Sequence, residues 1–368
     1  MTIKNSGSSL SFSEIVTEFG NPIDGKFGNY RVTESLKRNN VTFRQLTLDG
    51  ETPGTPGSIP TSGQIKFSDF YGKRLTNVID IFSGGQENFL NAKNIFTNQP
   101  SRVIVIGPKS SSERKNNNSR VIISVNKTVG SSTNDVTKCA LRTGSWDSTV
   151  QLQVIVDNQG RLNGAGGNGG DGSDGLSGAG GNTARGFNGT VGTSGLGIEY
   201  GNSTNKTKIF NGGIISAGFG GGGGGAGGQE TSKNDRRAGG GGGGGGAGIP
   251  AGIGGKGGAP QAGTRDNPDD IGKDGDNGSA DAFGVGKGGG DNDDQAGGGR
   301  GGNGGKFNVS AQNGFNSQLN DGTTTFGGTA GSNGSAIRKS NNSIVFEIPS
   351  GSFGIRGDTT ATGVFQST

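Results

Sequence analysis

Carboxylates and arginines are the residues of this chain whose type and spacing could do chemistry. Asp270, Asp274, Gly275 and Asp281 fall at positions 1, 5, 6 and 12 of the calcium loop D-x-[DN]-x-[DN]-G-x5-E. Gly272 stands at position 3 and the last ligand is Asp rather than the longer Glu, so a solvated acidic loop is the stronger reading and calcium the weaker. GGGRGGNGGK around Arg300 is one RGG-like stretch without interleaved aromatics. GVGKGGG from Gly284 lacks the Ser or Thr that a phosphate loop needs after Lys287. Histidine is absent and Cys139 is the only cysteine. Their scarcity removes the usual general base, the Ser-His-Asp triad, the commonest zinc ligand and any intrachain disulfide. Carboxylates are plentiful, but nothing pairs them across a cleft as glycoside hydrolysis requires. The expectation is a non-enzyme with no cofactor.

What must position any binding residue is glycine. From Gly164 to Gly305 the chain has 57 glycines in 142 residues. Glycine loses the most conformational entropy on ordering, and little apolar surface is present to offset it, so disorder is the plain reading. The arrangement argues otherwise. Blocks of similar length (Gly164 to Gly175, Gly218 to Gly228, Gly239 to Gly248, Gly252 to Gly258, Gly284 to Gly290, Gly297 to Gly305) alternate with polar inserts such as QETSKNDRR and TRDNPDDIGKDGDNGSAD. An extended left-handed helix with three residues per turn has no internal hydrogen bonds, so such helices must bond one another side by side. Collagen is excluded by the missing Gly-X-Y register and by only 10 prolines. A packed bundle of polyglycine II helices is expected.

The 368 residues, 27% of them apolar, allow two or three domains without one large core. Neither a signal-peptide pattern nor an apolar run long enough for a membrane span is present. The net charge of +4 is spread over interspersed signs, with no nucleic-acid stripe.

Residues 1–75 hold a twice-used device, LSFSEIVTEFG and IKFSDFYG. Each copy is expected to be a short strand feeding a short helix, with Ser13 or Ser68 as N-cap and Gly20 or Gly72 just past the end. Residues 76–160 are period-two and β-branched (VIDIF, RVIVIG, RVIISVN, CALRTG, VQLQVIVDN), which predicts a four- to six-stranded β domain, β-sandwich-like or of stacked β layers, with Trp146 in its core. Residues 161–368 form the glycine domain, closed by the strand-turn unit SIVFEIPSGSFGIRG. The fold class is therefore mainly β.

VDNQGRLNGAGGNGGDG, IFNGGIISAGFGGGGGGAGG and GSNGSAIRKSNNSIVFEI resemble the glycine-rich region of bacteriophage tail-fibre proteins and receptor-recognising adhesins of T4-like phages. The LSFSEI…IKFSDFYGKR opening is similar to the N-terminal module of phage structural proteins, notably those of cyanophages. The resemblance implies polyglycine II helices whose joining loops recognise the host, an N-terminal attachment to other tail or fibre proteins, and a place in the virion's tail. Two other readings stay open: a structural connector or decoration, and a Gly-rich nucleic-acid-binding protein.

Bare polyglycine offers no side chains for discrimination, so recognition of a bacterial surface protein or polysaccharide is expected from the inserts at Gln229 to Ala238, Pro260 to Phe283 and Asp291 to Ala296. Arg236, Arg237, Asp266, Asp269 and Asp270 are the polar candidates; Phe283, Phe307 and Phe315 add aromatic area, with anchoring of the bundle ends as their alternative role. Oligomeric state, a homo-oligomer included, is open.

Overall fold

Alternating β-branched residues favour strands because each side chain then packs on a pleated, half-buried surface. The five runs singled out between Asn77 and Asp157 are all strands in the computed structural model. It describes residues 7–19, 63–71, 76–81, 87–88, 90–92, 103–106, 120–133, 135, 137–175, 185–228, 238–260, 271–290, 297–318 and 324–363. Among these there is one α-helix, and the fold is mainly β.

The strands follow a circuit. β1 (Thr76–Ile81), β2 (Glu87–Asn88) and β3 (Leu90–Asn91) enter sheets 1, 2 and 3 in turn, and β4 (Val103–Ile106) pairs antiparallel with β1. The next circuit places β5 (Arg120–Val125), β6 (Thr128–Gly130) and β7 (Cys139–Arg142) beside them, followed by β8 (Gln151–Val156), β9 (Arg161–Asn163) and β10 (Ser194–Ile198). β11 (Thr207–Asn211) and β12 (Ile214–Ser216) continue sheets 1 and 2. After a β13 (Ser317–Gln318) and β14 (Thr324–Thr325) hairpin, β15 (Ile337–Lys339) continues sheet 3. β16 (Phe346–Glu347) and β17 (Ile355–Arg356) close sheets 1 and 2. Pairing between circuits is parallel throughout, so the sequence reading of a sandwich gives way to a three-sided parallel coil. The reason lies in connections: β5 is paired to β8, and β8 to β11, only after the chain has travelled through two other sheets. Sequence periodicity carries no record of that detour.

Ile79, Ile81, Val121, Ile123, Val125, Leu152, Val154 and Val156 alternate inward from sheet 1 and meet Leu141, Leu162, Leu196, Ile215 and Ile337 in one core. Trp146 belongs to it, as expected, and donates its indole N–H to the Thr143 carbonyl at 2.9 Å. Burial pushes the Cys139 thiol far above its ordinary value, so it acts as a small apolar residue.

Near the N-terminus, α1 (Phe12–Phe19) starts two residues earlier than the sequence suggested. Ser11, not Ser13, is the cap: its hydroxyl accepts from Glu14 N–H at 3.3 Å while Glu14 accepts from Ser11 N–H at 2.8 Å. Glu14 can reciprocate only with the residue three before it. The second copy is a short 3-10 helix, Phe67–Phe70, with Lys66 rather than Ser68 at its N-cap and Asp69 accepting from Lys66 N–H at 2.7 Å. Residues 7–11 and 64–66 contain no strand, whereas Gly20 and Gly72 lie outside the described residues. The Tyr71 hydroxyl donates to the Ser8 carbonyl at 2.5 Å, and Ile15 and Phe70 are fully buried.

Ten extended segments fill the sheet 2 to sheet 3 corner of two successive circuits. The first (164–175) and second (185–193) lie between β9 and β10; the third (217–228) to tenth (326–335) lie between β12 and β15. The others are 238–249, 250–260, 271–279, 283–290, 297–305 and 310–316, numbered fourth to ninth. Bonding repeats every three residues. Gly164, Gly167, Gly170 and Ser173 donate to carbonyls of Ser216, Phe219, Gly222 and Gly225 at 2.8 to 3.1 Å, while Gly166, Gly169, Gly172 and Gly175 donate to Pro250, Ile253, Lys256 and Ala259 at 2.8 to 3.0 Å. The third segment is bonded on six sides, by the first, second, tenth, ninth, eighth and fourth; every N–H from Ala217 to Gly228 and every C=O from Gly218 to Gly227 has a partner outside the segment. The fourth is likewise ringed by the first, third, eighth, seventh, sixth and fifth. No described glycine in the ten segments has positive φ.

Candidate functional site

A surface formed by an array of parallel rods lies either on its sides or at its ends, and the hydrogen bonds define both ends here. At the end nearer the sheets, Ser279 N–H donates to Ala282 at 2.7 Å, Lys306 and Val309 exchange bonds at 2.9 Å, and Ile249 N–H donates to Gly164 at 2.9 Å. At the far end, Gly175 donates to Ala259 at 3.0 Å, Gly228 to Ala238 at 2.8 Å, Gly290 to Gly239 at 2.8 Å and Gly298 to Gly290 at 3.0 Å. Ser317 Oγ also donates to Gly297 at 2.7 Å and Thr325 Oγ1 to Gly227 at 3.0 Å. The residues flanking 176–184, 229–237, 261–270, 291–296 and 319–323 are thus gathered at that far end. All five stretches leave from it and return to it.

Three of those stretches were singled out in the sequence and two, 176–184 and 319–323, were not. The signal for these two was weak: LSGAGGNTA and LNDGT are short and low in charge. Arg236, Arg237, Asp266, Asp269 and Asp270 lie outside the described residues. Phe315, three residues from Gln318, is at the far end and 53% exposed. Phe283 and Phe307 sit at the opposite end, Phe283 under the Lys306 ammonium at 5.2 Å and Phe307 in the turn that follows it. The structure therefore separates Phe315 from Phe283 and Phe307.

A family model described as the phage tail fibre adhesin Gp38 matches residues 94–362, most of the chain. The chain belongs to this family. No curated protein sequence matches it. Among solved structures it is similar to the gp37-gp38 adhesin tip complex of the bacteriophage S16 long tail fibre, at 18% identity and a TM-score of 0.35, over 82% of this chain and 89% of that one. The protein is a receptor-binding adhesin of the phage tail fibre.

The adhesin's two described calcium-motif carboxylates have protein partners. Asp274 Oδ1 accepts from Gly257 N–H at 2.8 Å. Asp281 accepts from Arg161 through both oxygens and from Arg356 Nη1 at 2.6 Å, which ties the turn after the sixth segment to β9 and β17. Those guanidinium groups, Arg161 foremost, hold the Asp281 carboxyl below its ordinary pKa. No cluster of three or more His, Cys, Asp or Glu suited to a metal occurs among the described residues. Nor is any helix there long and apolar enough to cross a membrane. Arg300 of the RGG-like stretch donates its Nε–H to the Gly286 carbonyl at 3.2 Å.

A second set of side chains completes the array. Asn168, Asp171 and Asp174, three residues apart, accept from Ile253, Lys256 and Ala259 N–H at 2.9, 2.7 and 2.7 Å. Asn277, Asn303, Asn188, Asn313, Asn316 and Asn333 do the same for Gly254, Gly286, Thr329, Ala330, Gly327 and Gly220 at 2.8 to 3.0 Å. At these positions a short side-chain oxygen takes the place of a backbone carbonyl and satisfies an N–H that the array would otherwise leave to solvent. The sequence carries this signal as Asn-Gly and Asp-Gly at three-residue steps.

Proposed function

We propose that the adhesin recognises its host through the five stretches gathered at the far end, held by segments that are polyglycine II helices. The observation carrying this reading is the convergence of all five pairs of flanking residues on one end, away from the three sheets. Support for the helix type comes from the three-residue bonding period, the absence of positive φ and the bonding between elements. Binding is the whole activity in this reading: clamped loop ends lose less entropy when a receptor is engaged. Arg236, Arg237, Asp266, Asp269 and Asp270 supply polar discrimination; Phe283 and Phe307 anchor the near end.

Residues 1–75 attach the adhesin to another fibre protein, because α1 and the 3-10 helix bury too little to form an independent core. Exchanging 229–237, 261–270 and 291–296 for those of an adhesin with another host is expected to shift host range while leaving thermal unfolding unchanged. Phage with scrambled stretches that still adsorb to the original host at the original rate would place recognition elsewhere. Phage that incorporate a chain lacking residues 1–74 as efficiently as the whole protein would remove the attachment role.

A further inference from the structure

The second, tenth and ninth segments are consecutive neighbours on the outside of the array: Gly189 and Gly192 donate to Thr329 and Ser332 at 2.8 and 2.9 Å, and Gly314 donates to Gly328 at 2.8 Å. Their inward positions are rich in glycine, and apart from Arg185 their exposed positions are Phe, Asn, Gln, Thr and Ser. Phe187, Phe326 and Phe315, one per segment, are 63%, 55% and 53% exposed. All three lie in the third of the array nearest the far end: Gly186 donates to Phe326, and Phe315 accepts from Ala226. In the grooves between, Asn188, Asn313 and Asn316 spend Oδ1 on a neighbour's N–H, and all three are exposed. Their Nδ2 groups have no partner among the described residues and are left as outward donors.

Charge is the second feature. Across 185–193, 310–316 and 326–335 the sequence has one charged residue, Arg185. The opposite side, built from the fifth, sixth and seventh segments, carries Lys256, Lys273, Asp274, Asp276 and Lys287, with a Lys287–Asp276 ion pair at 2.7 Å. That side therefore carries the array's charge, although Ile253, Ile271 and Val285 are exposed on it too. The other offers flat rings and neutral donors.

We propose that this uncharged side is a binding site for a neutral surface glycan, resting on the adhesin's role at the host surface but separate from its far-end stretches. Pyranose rings present C–H faces of slight positive potential, which seat on the negative face of an aromatic ring, while their hydroxyls accept from amide Nδ2. An acidic glycan would find only Arg185 to balance it, and an apolar protein surface would leave the amide donors unpaired.

The test uses the full-length protein and saturation-transfer NMR with neutral gluco-, galacto- and manno-oligosaccharides and an oligogalacturonate. Saturation should pass to ring C–H protons of at least one neutral sugar. A Phe187→Ala, Phe315→Ala, Phe326→Ala variant with unchanged melting should bind it at least tenfold more weakly. Absence of transfer to every neutral sugar, equal binding by the variant, or preference for the oligogalacturonate overturns the proposal. So does self-association of the wild type that the variant lacks, which would make this side a contact between copies. Adsorption of fluorescent wild-type protein to host cells reports on the adhesin reading by itself: it fails if that reading fails, whatever the sugars do.

Discussion

A Cβ added to Gly244 would lie 1.9 Å from the Gly284 carbonyl oxygen, whereas one added to Gly288 meets nothing within 4 Å. The blocking atoms are backbone held by their own hydrogen bonds, so they cannot rotate away as a side chain would. Gly244→Ala is expected to cost about 3 kcal/mol or more, at the upper end of overpacking. Gly288→Ala should stay within about 0.5 kcal/mol, since it changes an open site. Thermal melts of the two variants make the comparison. Asp281 is the other informative residue. Its carboxyl is held down by Arg161 and Arg356, so its stabilisation is present above the unfolded-state pKa, near 4, and fades as pH falls through the lower folded value. With its side chain 52% exposed the pair is screened, and Asp281→Asn should cost only about 1 kcal/mol at pH 7. The gap between wild type and variant should close below about pH 4 in denaturant titrations.

At the scale of elements, the two segments surrounded on every side carry the longest uninterrupted glycine runs, Gly220 to Gly225 and Gly239 to Gly246. Outer segments need glycine only in the rows that pack against neighbours, which is why the first reads GAGGNGGDGSDG, with two rows almost wholly glycine and Asn168, Asp171 and Asp174 in an edge row. These side chains hold adjacent segments in register. Asp171→Ala strands the Lys256 N–H, and amide exchange at Lys256 is expected to rise at least tenfold while exchange within 239–246 is unaltered. Asp171→Asn keeps an oxygen at the same place and should restore slow exchange.

The whole molecule is interlocked. Because 164–193 is inserted between β9 and β10, and 217–336 between β12 and β15, the glycine array cannot leave the coil without opening sheet 3. Scanning calorimetry of the intact chain is expected to show one transition for coil and array together. Two separable transitions would mean that residues 76–160 fold as the independent unit that strand periodicity suggests.

Block lengths and polar inserts were enough to identify an ordered glycine region, and β-branched runs were enough to find five strands, because both patterns act locally along the chain. The gathering of five stretches at one end, the split of Phe283 and Phe307 from Phe315, and the substitution of a three-sided coil for a sandwich were not legible. Each depends on which segments become neighbours. Ser11 and Ser13 show the same limit at short range, since only the reciprocal bond to Glu14 separates them. Glycine carries no side chain to mark its partner, so its sequence states that close packing occurs, while the tertiary hydrogen bonds decide who packs with whom.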